Sequence, residues 1–354
     1  MNAIILRMMN ISSRSSRNIK YFKNFKVCSV EHFPKEQNSR FLCNQVMLNS
    51  TNFKQQNKKY PIFPIVFAGL FFKSKSEEEE SPEHHLITTI KRSILCIQRQ
   101  EYNKAEQMLH LALKIAQEMQ HKDGITYVYD VMANLAMEQE QFEKAEKLFT
   151  EVMRRLLGDG YKEDDNKILH ISSKIAHMSQ LKGQLEKAKQ GFIWTIEKIE
   201  QKLKSLPNDN DLLELYGLTK NWYAQLLMQT EKFAEAKTMF IQAYDILTNE
   251  YGKFNEEALM ILNNLSVACI NLNDHIEAKK YLEEALELAK NLPEIVEVGV
   301  LKANLGLLYL KEGLVESAKE ICSTAYRYGH KIKDKRVIEQ AEYCLDQIQA
   351  SLKK

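Results

Sequence analysis

Two histidines, His170 and His177, lie seven residues apart, two turns along one helical face. Imidazoles so placed are the material of a bridged metal, or of the acid–base half of a hydrolase. Neither set is completed: no Cys or carboxylate stands at a matching position, and no nucleophile is paired with a base. Gly158, Asp159 and Gly160, followed by Lys162, Glu163, Asp164 and Asp165, are acidic enough to suggest a calcium loop. They lack the D-x-[DN]-x-[DN]-G order of such a loop and read as a connection between helices. His84 and His85 have no further ligands nearby, and the chain holds neither an H-E-x-x-H nor a glycine-rich phosphate loop. Six cysteines, Cys28, Cys43, Cys96, Cys269, Cys322 and Cys344, are scattered with no C-x-x-C. The last four fall on or near apolar stripes and are expected as small buried hydrophobes rather than disulfides or ligands. No catalytic residue, metal or cofactor is predicted, and binding is the work left to the chain.

The elements that would position a binding face are helices. Only Pro207 and Pro293 of the six prolines lie beyond residue 83, and there are 12 glycines in 354 residues. The clearest stretch runs from Gly124 to Leu157. Tyr129, Met132, Ala133 and Ala136 share one helical face, and Ala145, Phe149 and Val152 share another. Ala133 and Ala145 are small enough for two helix axes to approach, and Phe142 sits where it can plug the turn. This is the spacing of a tetratricopeptide repeat. Taking Ala145 as the marker of the second helix, equivalent alanines follow the same pattern at Ala105, Ala188, Ala236, Ala278 and Ala318. Twelve residues before each marker stands a small residue: Ser93, Ala133, Ala176, Ala224, Ser266 and Gly306. Tyr102, Phe142 and Phe233 plug three turns, and Gly183 and Gly313 mark two others. The reading is an all-α tetratricopeptide-repeat solenoid of about six helix-turn-helix units over 84–334. Residues 335–354 form a capping helix whose stripe is Val337, Ile338, Ala341, Leu345 and Ile348.

In such an array the first helix of each unit lines a concave groove used for extended partners. Its groove-facing positions lie 18, 15 and 11 residues before the marker. They are Tyr127, Asp130 and Asn134 in unit two, and His170, Ser173 and His177 in unit three. Unit four supplies Leu218, Asn221 and Gln225, unit five Met260, Asn263 and Val267, and unit six Val300, Ala303 and Leu307. The groove therefore reads polar in the middle and apolar toward the C-terminus. Amides there offer donors and acceptors to a peptide backbone, and the histidines are expected solvated or facing a partner.

Charge divides the chain. Residues 1–59 carry eleven Lys or Arg against Glu31 and Glu36, a net of +9; with +2 for the whole chain, the remainder carries −7. An array of that sign has no basic footprint for nucleic acid. Residues 1–26 are basic, serine-rich and free of acids, the composition of a mitochondrial transit peptide. Residues 60–72, YPIFPIVFAGLFF, are too short for a comfortable membrane span of about 20 residues, but suit a sorting signal or a membrane anchor. An acidic linker, 73–83, precedes the array. If the apolar segment arrests in the inner membrane, the basic flank before it predicts that flank on the matrix side and the array in the intermembrane space; full import would instead leave the array in the matrix.

The segments ITYVYDVMANLAMEQEQFEKAEKLF and LLGDGYKEDDNKILHISSKIA are more specific than a generic repeat. Together with an apolar patch and an acidic run before the array, they resemble the tetratricopeptide repeat protein 19 family of mitochondria. The resemblance covers most of the chain; units four to six match as generic repeats and the N-terminal third in character only. It implies a non-enzymatic protein of the inner mitochondrial membrane. Such a protein associates with respiratory complex III and allows clearance of N-terminal fragments of its Rieske subunit. No groove residue is carried over by motif. Around Asn264 and Asn304 the units are also similar to kinesin light chains, so the alternative is a cytosolic cargo adaptor binding extended peptides. That alternative calls for a heptad segment before the array and no acid-free presequence.

Overall fold

The computed structural model describes residues 81–253, 256–292 and 296–352. The expected transit segment, the apolar segment and most of the acidic linker lie outside these residues. Among the described residues there are thirteen helices and no strand. They fall in two compact bodies, 81–128 and 129–352.

In the first body, α1 (Pro82–Gln98) and α2 (Tyr102–Glu118) form an antiparallel pair, followed by the start of α3 (Lys122–Glu138). Ser81 caps α1 by accepting the His84 N–H at 3.2 Å, and Pro82 fills a first-turn position where its missing N–H costs nothing. Leu86, Ile90, Ser93 and Ile97 of α1 are buried, as are Ala105, Leu109, Ala112 and Ala116 of α2. These are single stripes at three- and four-residue spacing.

The second body holds the rest of α3 and ten further helices. They are α4 (Phe142–Gly158), α5 (Asn166–Leu181), α6 (Leu185–Leu203), α7 (Asn210–Gln229) and α8 (Phe233–Tyr251). The remainder are α9 (Glu256–Asn271), α10 (His275–Ala289), α11 (Val296–Lys311), α12 (Val315–Ile332) and α13 (Lys335–Leu352). All six marker alanines are fully buried, and so is the residue four further on: Leu109, Phe149, Phe192, Phe240, Leu282 or Cys322. The small residues twelve before each marker are buried too. This is close helix approach repeated unit by unit.

Each unit turns in the same way. The residue five before the marker is left-handed: Gln100, Glu140, Gly183, Glu231, Asn273 and Gly313, with φ between 58° and 77°. The next N–H reaches back to a carbonyl five residues earlier, as from Gln141 to Ala136 at 2.8 Å and from Leu314 to Tyr309 at 2.9 Å. These are Schellman closures, which satisfy carbonyls that the helix end leaves open. At two junctions between units, the residue after one marker pairs with the residue before the next. Glu146 receives Lys187 at 2.7 Å, and Lys237 meets Glu277 with the signs exchanged.

Helix α9 departs from the one-stripe rule. Every residue from Ala258 to Ile270 is buried, because α7, α8, α10 and α11 all pack on it. One expectation is overturned here. Cys322 and Cys344 are joined as a disulfide between α12 and α13, with Cα atoms 6.1 Å apart. Both do lie on apolar stripes, but the two stripes meet there, which neither stripe alone reveals. Cys96 and Cys269 are free thiols.

Candidate interaction face

The polar positions of the first helices converge in the second body, and they are occupied largely with one another. Asn134 is 3 % exposed; its Nδ2 donates to the Asp130 carbonyl at 2.8 Å, and its Oδ1 accepts from Lys174 Nζ at 2.9 Å. Lys174 also lies 3.6 Å from Asp130 Oδ1 and 5.2 Å above the Phe149 ring. Burial holds its pKa below the ordinary lysine range, with Asp130 pulling the other way. Ser173 and Thr219 share a hydrogen bond at 2.9 Å across α5 and α7. Further along, Asn304 Nδ2 donates to Asn263 Oδ1 at 2.7 Å, and Gln340 Nε2 donates to Asn304 Oδ1 at 3.2 Å. Asn263, Asn304 and Gln340 thus form an amide ladder through α9, α11 and α13.

The histidines are neutral rather than charged. Burial pushes His170 well below the usual histidine pKa, with the Lys174 charge adding to it. Burial lowers His177 to about 4, against a contact with Gln180 Oε1 at 3.4 Å. The His177 ring stacks on Trp222, centroids 4.6 Å apart and 6° from parallel. Among the described residues no three His, Cys, Asp or Glu side chains gather as a metal ion would require.

Among the described residues, buried polar atoms without a hydrogen-bond partner include Asp130 Oδ1, Asn166 Oδ1 and His275 Nε2, and the larger share falls on α7 and α9. Asn221 Oδ1, Trp222 Nε1 and Gln225 Nε2 on α7, and Asn263 Nδ2 and Asn264 Oδ1 on α9, are buried atoms without a hydrogen-bond partner. Asn221 and Asn263 are both 2 % exposed. An unpaired buried polar atom costs about 1–3 kcal/mol, and five of the eight such atoms among the described residues lie on these two helices. Elsewhere, Met260, Val267, Val300, Ala303 and Leu307 are buried, and Tyr127, in the first body, is buried as well.

The partners Lys174, Trp222, Asn264 and Asn304 stand one residue beyond the Ser173, Asn221, Asn263 and Ala303 positions. Polar residues fourteen before the marker at Lys174, Asn264 and Asn304 were a signal for three of them. A second buried lysine, Lys220, donates to Gln242 at 2.7 Å and lies 4.3 Å above the Tyr216 ring. The acidic loop before α5 carries the N-cap Asp165, which accepts the Lys167 N–H at 2.9 Å.

Paired helices with buried marker alanines and Schellman turns define a tetratricopeptide-repeat protein, and the Tetratricopeptide repeat family pattern matches residues 215–291. The same fold occurs in the tetratricopeptide repeat sensor of a STAND signal-transduction ATPase from Pyrococcus horikoshii. That structure superposes with a TM-score of 0.56 at 20 % identity, over 76 % of this chain and 42 % of that one. Identity narrows the class. The chain is 56 % identical over 290 residues to the mitochondrial tetratricopeptide repeat protein 19 homolog of Drosophila melanogaster, covering 82 % of this chain and 79 % of the relative. It is 30 % identical over 291 residues to the mitochondrial tetratricopeptide repeat protein 19 of Rattus norvegicus, covering 77 % and 79 %. The chain belongs to the mitochondrial tetratricopeptide repeat protein 19 family.

Proposed function

We propose that this mitochondrial repeat protein is a non-catalytic binding scaffold that engages respiratory complex III. In this reading it supports the integrity of the complex by allowing Rieske-subunit fragments to be cleared. The observation that carries it is the cluster of unmet donors and acceptors on α7 and α9. Amide groups and an indole N–H are donors and acceptors of the kind that pair with the N–H and C=O groups of an extended polypeptide segment. The neutral His177–Trp222 stack, adjoining Asn221 along α7, gives these groups a largely apolar setting. Family membership and the acid-free, basic start of the chain support mitochondrial import.

The apolar segment 60–72 is proposed as the inner-membrane anchor, with the array on the intermembrane-space side, as the basic flank before it favours. Among the described residues no helix is long and apolar enough to cross a membrane. The test is purification of the tagged full chain from gently solubilised mitochondria, with its partners identified by mass spectrometry. Complex III subunits, the Rieske protein included, should co-purify in amounts comparable to the bait. Their absence from a well-folded preparation would overturn the proposal.

A further inference from the structure

The sixth repeat breaks the pattern of the other five at two positions that touch. Where the others place Leu or Phe four residues after the marker, it places Cys322; where they place Ala or Ser twelve before, it places Gly306. A Cβ at Gly306 would stand 2.1 Å from the Cys322 sulfur and 3.1 Å from the Cys344 sulfur. Any side chain there would occupy the space of the two sulfurs. The glycine and both cysteines therefore form one device, in which a large apolar side chain is replaced by a bridge to α13.

We propose that Cys322–Cys344 is a structural staple, closed after import by exchange with a protein disulfide in the intermembrane space, which locks the capping helix α13 onto the last repeat. This deepens the reading above and rests on its placement of the array. The Cα separation of 6.1 Å lies within the range a disulfide spans, and the bridge closes a loop of 22 residues. Mitochondrial chains meet oxidising and reducing surroundings in different compartments, and a structural disulfide belongs to the former. Closure runs by exchange. One thiolate of the pair attacks a sulfur of the carrier's disulfide, forming a mixed disulfide and releasing one carrier thiolate. The second thiolate then displaces the carrier's remaining sulfur. The chain gains one S–S bond, the carrier leaves as a dithiol, and two electrons and two protons pass to it. Both cysteines are fully buried afterwards, so exchange precedes or accompanies docking of α13, and the closed bond is shielded from small thiols.

Two other cysteines serve as internal controls. Cys96 rests against Met108 Sδ at 3.9 Å, and Cys269 is buried beside Glu277, its thiol pushed up to about 12 by burial. Neither has a cysteine partner.

The experiment is differential alkylation of the full-length chain in intact mitochondria. Acid quenching is followed by N-ethylmaleimide in denaturant, then by reduction and iodoacetamide, and the peptides are weighed. Cys322 and Cys344 should carry the second label and Cys96 and Cys269 the first. First-label modification of Cys322 and Cys344 would overturn the staple. Purified protein provides a second readout. Opening the bond with reductant should speed tryptic release of α13 by roughly tenfold or more, while Cys344→Ala should digest at one rate with or without reductant. Unchanged digestion of the wild type, with the bond shown to be open, would also overturn it. Protease added to mitoplasts separates the two readings. An oxidised pair on an array protected in the matrix sinks the intermembrane-space placement and the site of closure. A reduced pair on an accessible array sinks the staple alone.

Discussion

The middle and the end of the second body spend polar residues in opposite ways. On α7, Asn221, Trp222 and Gln225 each keep a buried atom unpaired. Toward the C-terminus, Asn263, Asn304 and Gln340 bond to one another in sequence, and a disulfide ties the next layer. The end of the array ties Asn263, Asn304 and Gln340 together and closes with a disulfide, while Asn263 Nδ2 and Asn264 Oδ1 on α9 stay open at its inner edge. The middle leaves groups for something else to satisfy. Amides at nearly equivalent repeat positions thus do different work, and hydrogen-bond accounting separates them where residue type does not.

The comparison is broken most severely at Asn304, fully buried and bonded on both sides. Asn304→Ala should cost about 2–4 kcal/mol, because it removes one amide and orphans groups on Asn263 and Gln340. Urea unfolding checks this; a loss below 1 kcal/mol would mean the ladder is not holding the end together.

Glu257 sharpens the picture through pH. Burial first, then the charges of Glu214 and Glu256, raise its pKa from 4.5 to about 7. The unfolded carboxyl ionises near 4.5 while the folded one holds its proton to about 7, so the folded state is penalised as pH rises through that window. Glu257→Gln should stabilise the protein by up to about 3 kcal/mol at pH 8. The gain should fade toward pH 5. Stability curves at the two pH values read it directly, and a gain equal at both would refute the cause.

Overpacking tests the register. Ala236 is fully buried at the close approach of α7 and α8, and Ala236→Phe should cost about 1–3 kcal/mol and loosen the neighbouring units. Thermal unfolding at the wild-type temperature would contradict the repeat assignment. The smallest effect belongs to the turns. Glu231 is left-handed at φ 58°, a conformation glycine adopts without strain, so Glu231→Gly should gain a few tenths to about 1 kcal/mol. Calorimetry resolves a change of that size.

Much of the fold was legible because helix approach demands small residues at fixed spacing, as Ala133 with Ala145 or Ala224 with Ala236. The turns were half legible: Gly183 and Gly313 announce a left-handed residue, whereas Gln100, Glu140 and Glu231 hold the same conformation with side chains that do not. The candidate face was harder. Asn134, Asn221 and Asn263 were placed on the right helices, but their burial depends on how closely successive first helices pack, which no single repeat encodes. Lys174 and Asn304 were missed for that reason, being partners across units rather than members of a motif. The staple escaped because Cys322 and Cys344 each read as an ordinary apolar position.

The most direct test pairs the two regions in one pull-down. Asn221→Ala with Gln225→Ala removes side chains whose Asn221 Oδ1 and Gln225 Nε2 have no internal partner, so the cost is the small cavity left at the buried Asn221, about 1–2 kcal/mol. Complex III retained by this variant in mitochondria should fall several-fold, relative to wild type at matched abundance. Full retention by the double variant, together with loss of complex III from an outer-face charge variant of equal stability, would contradict the account.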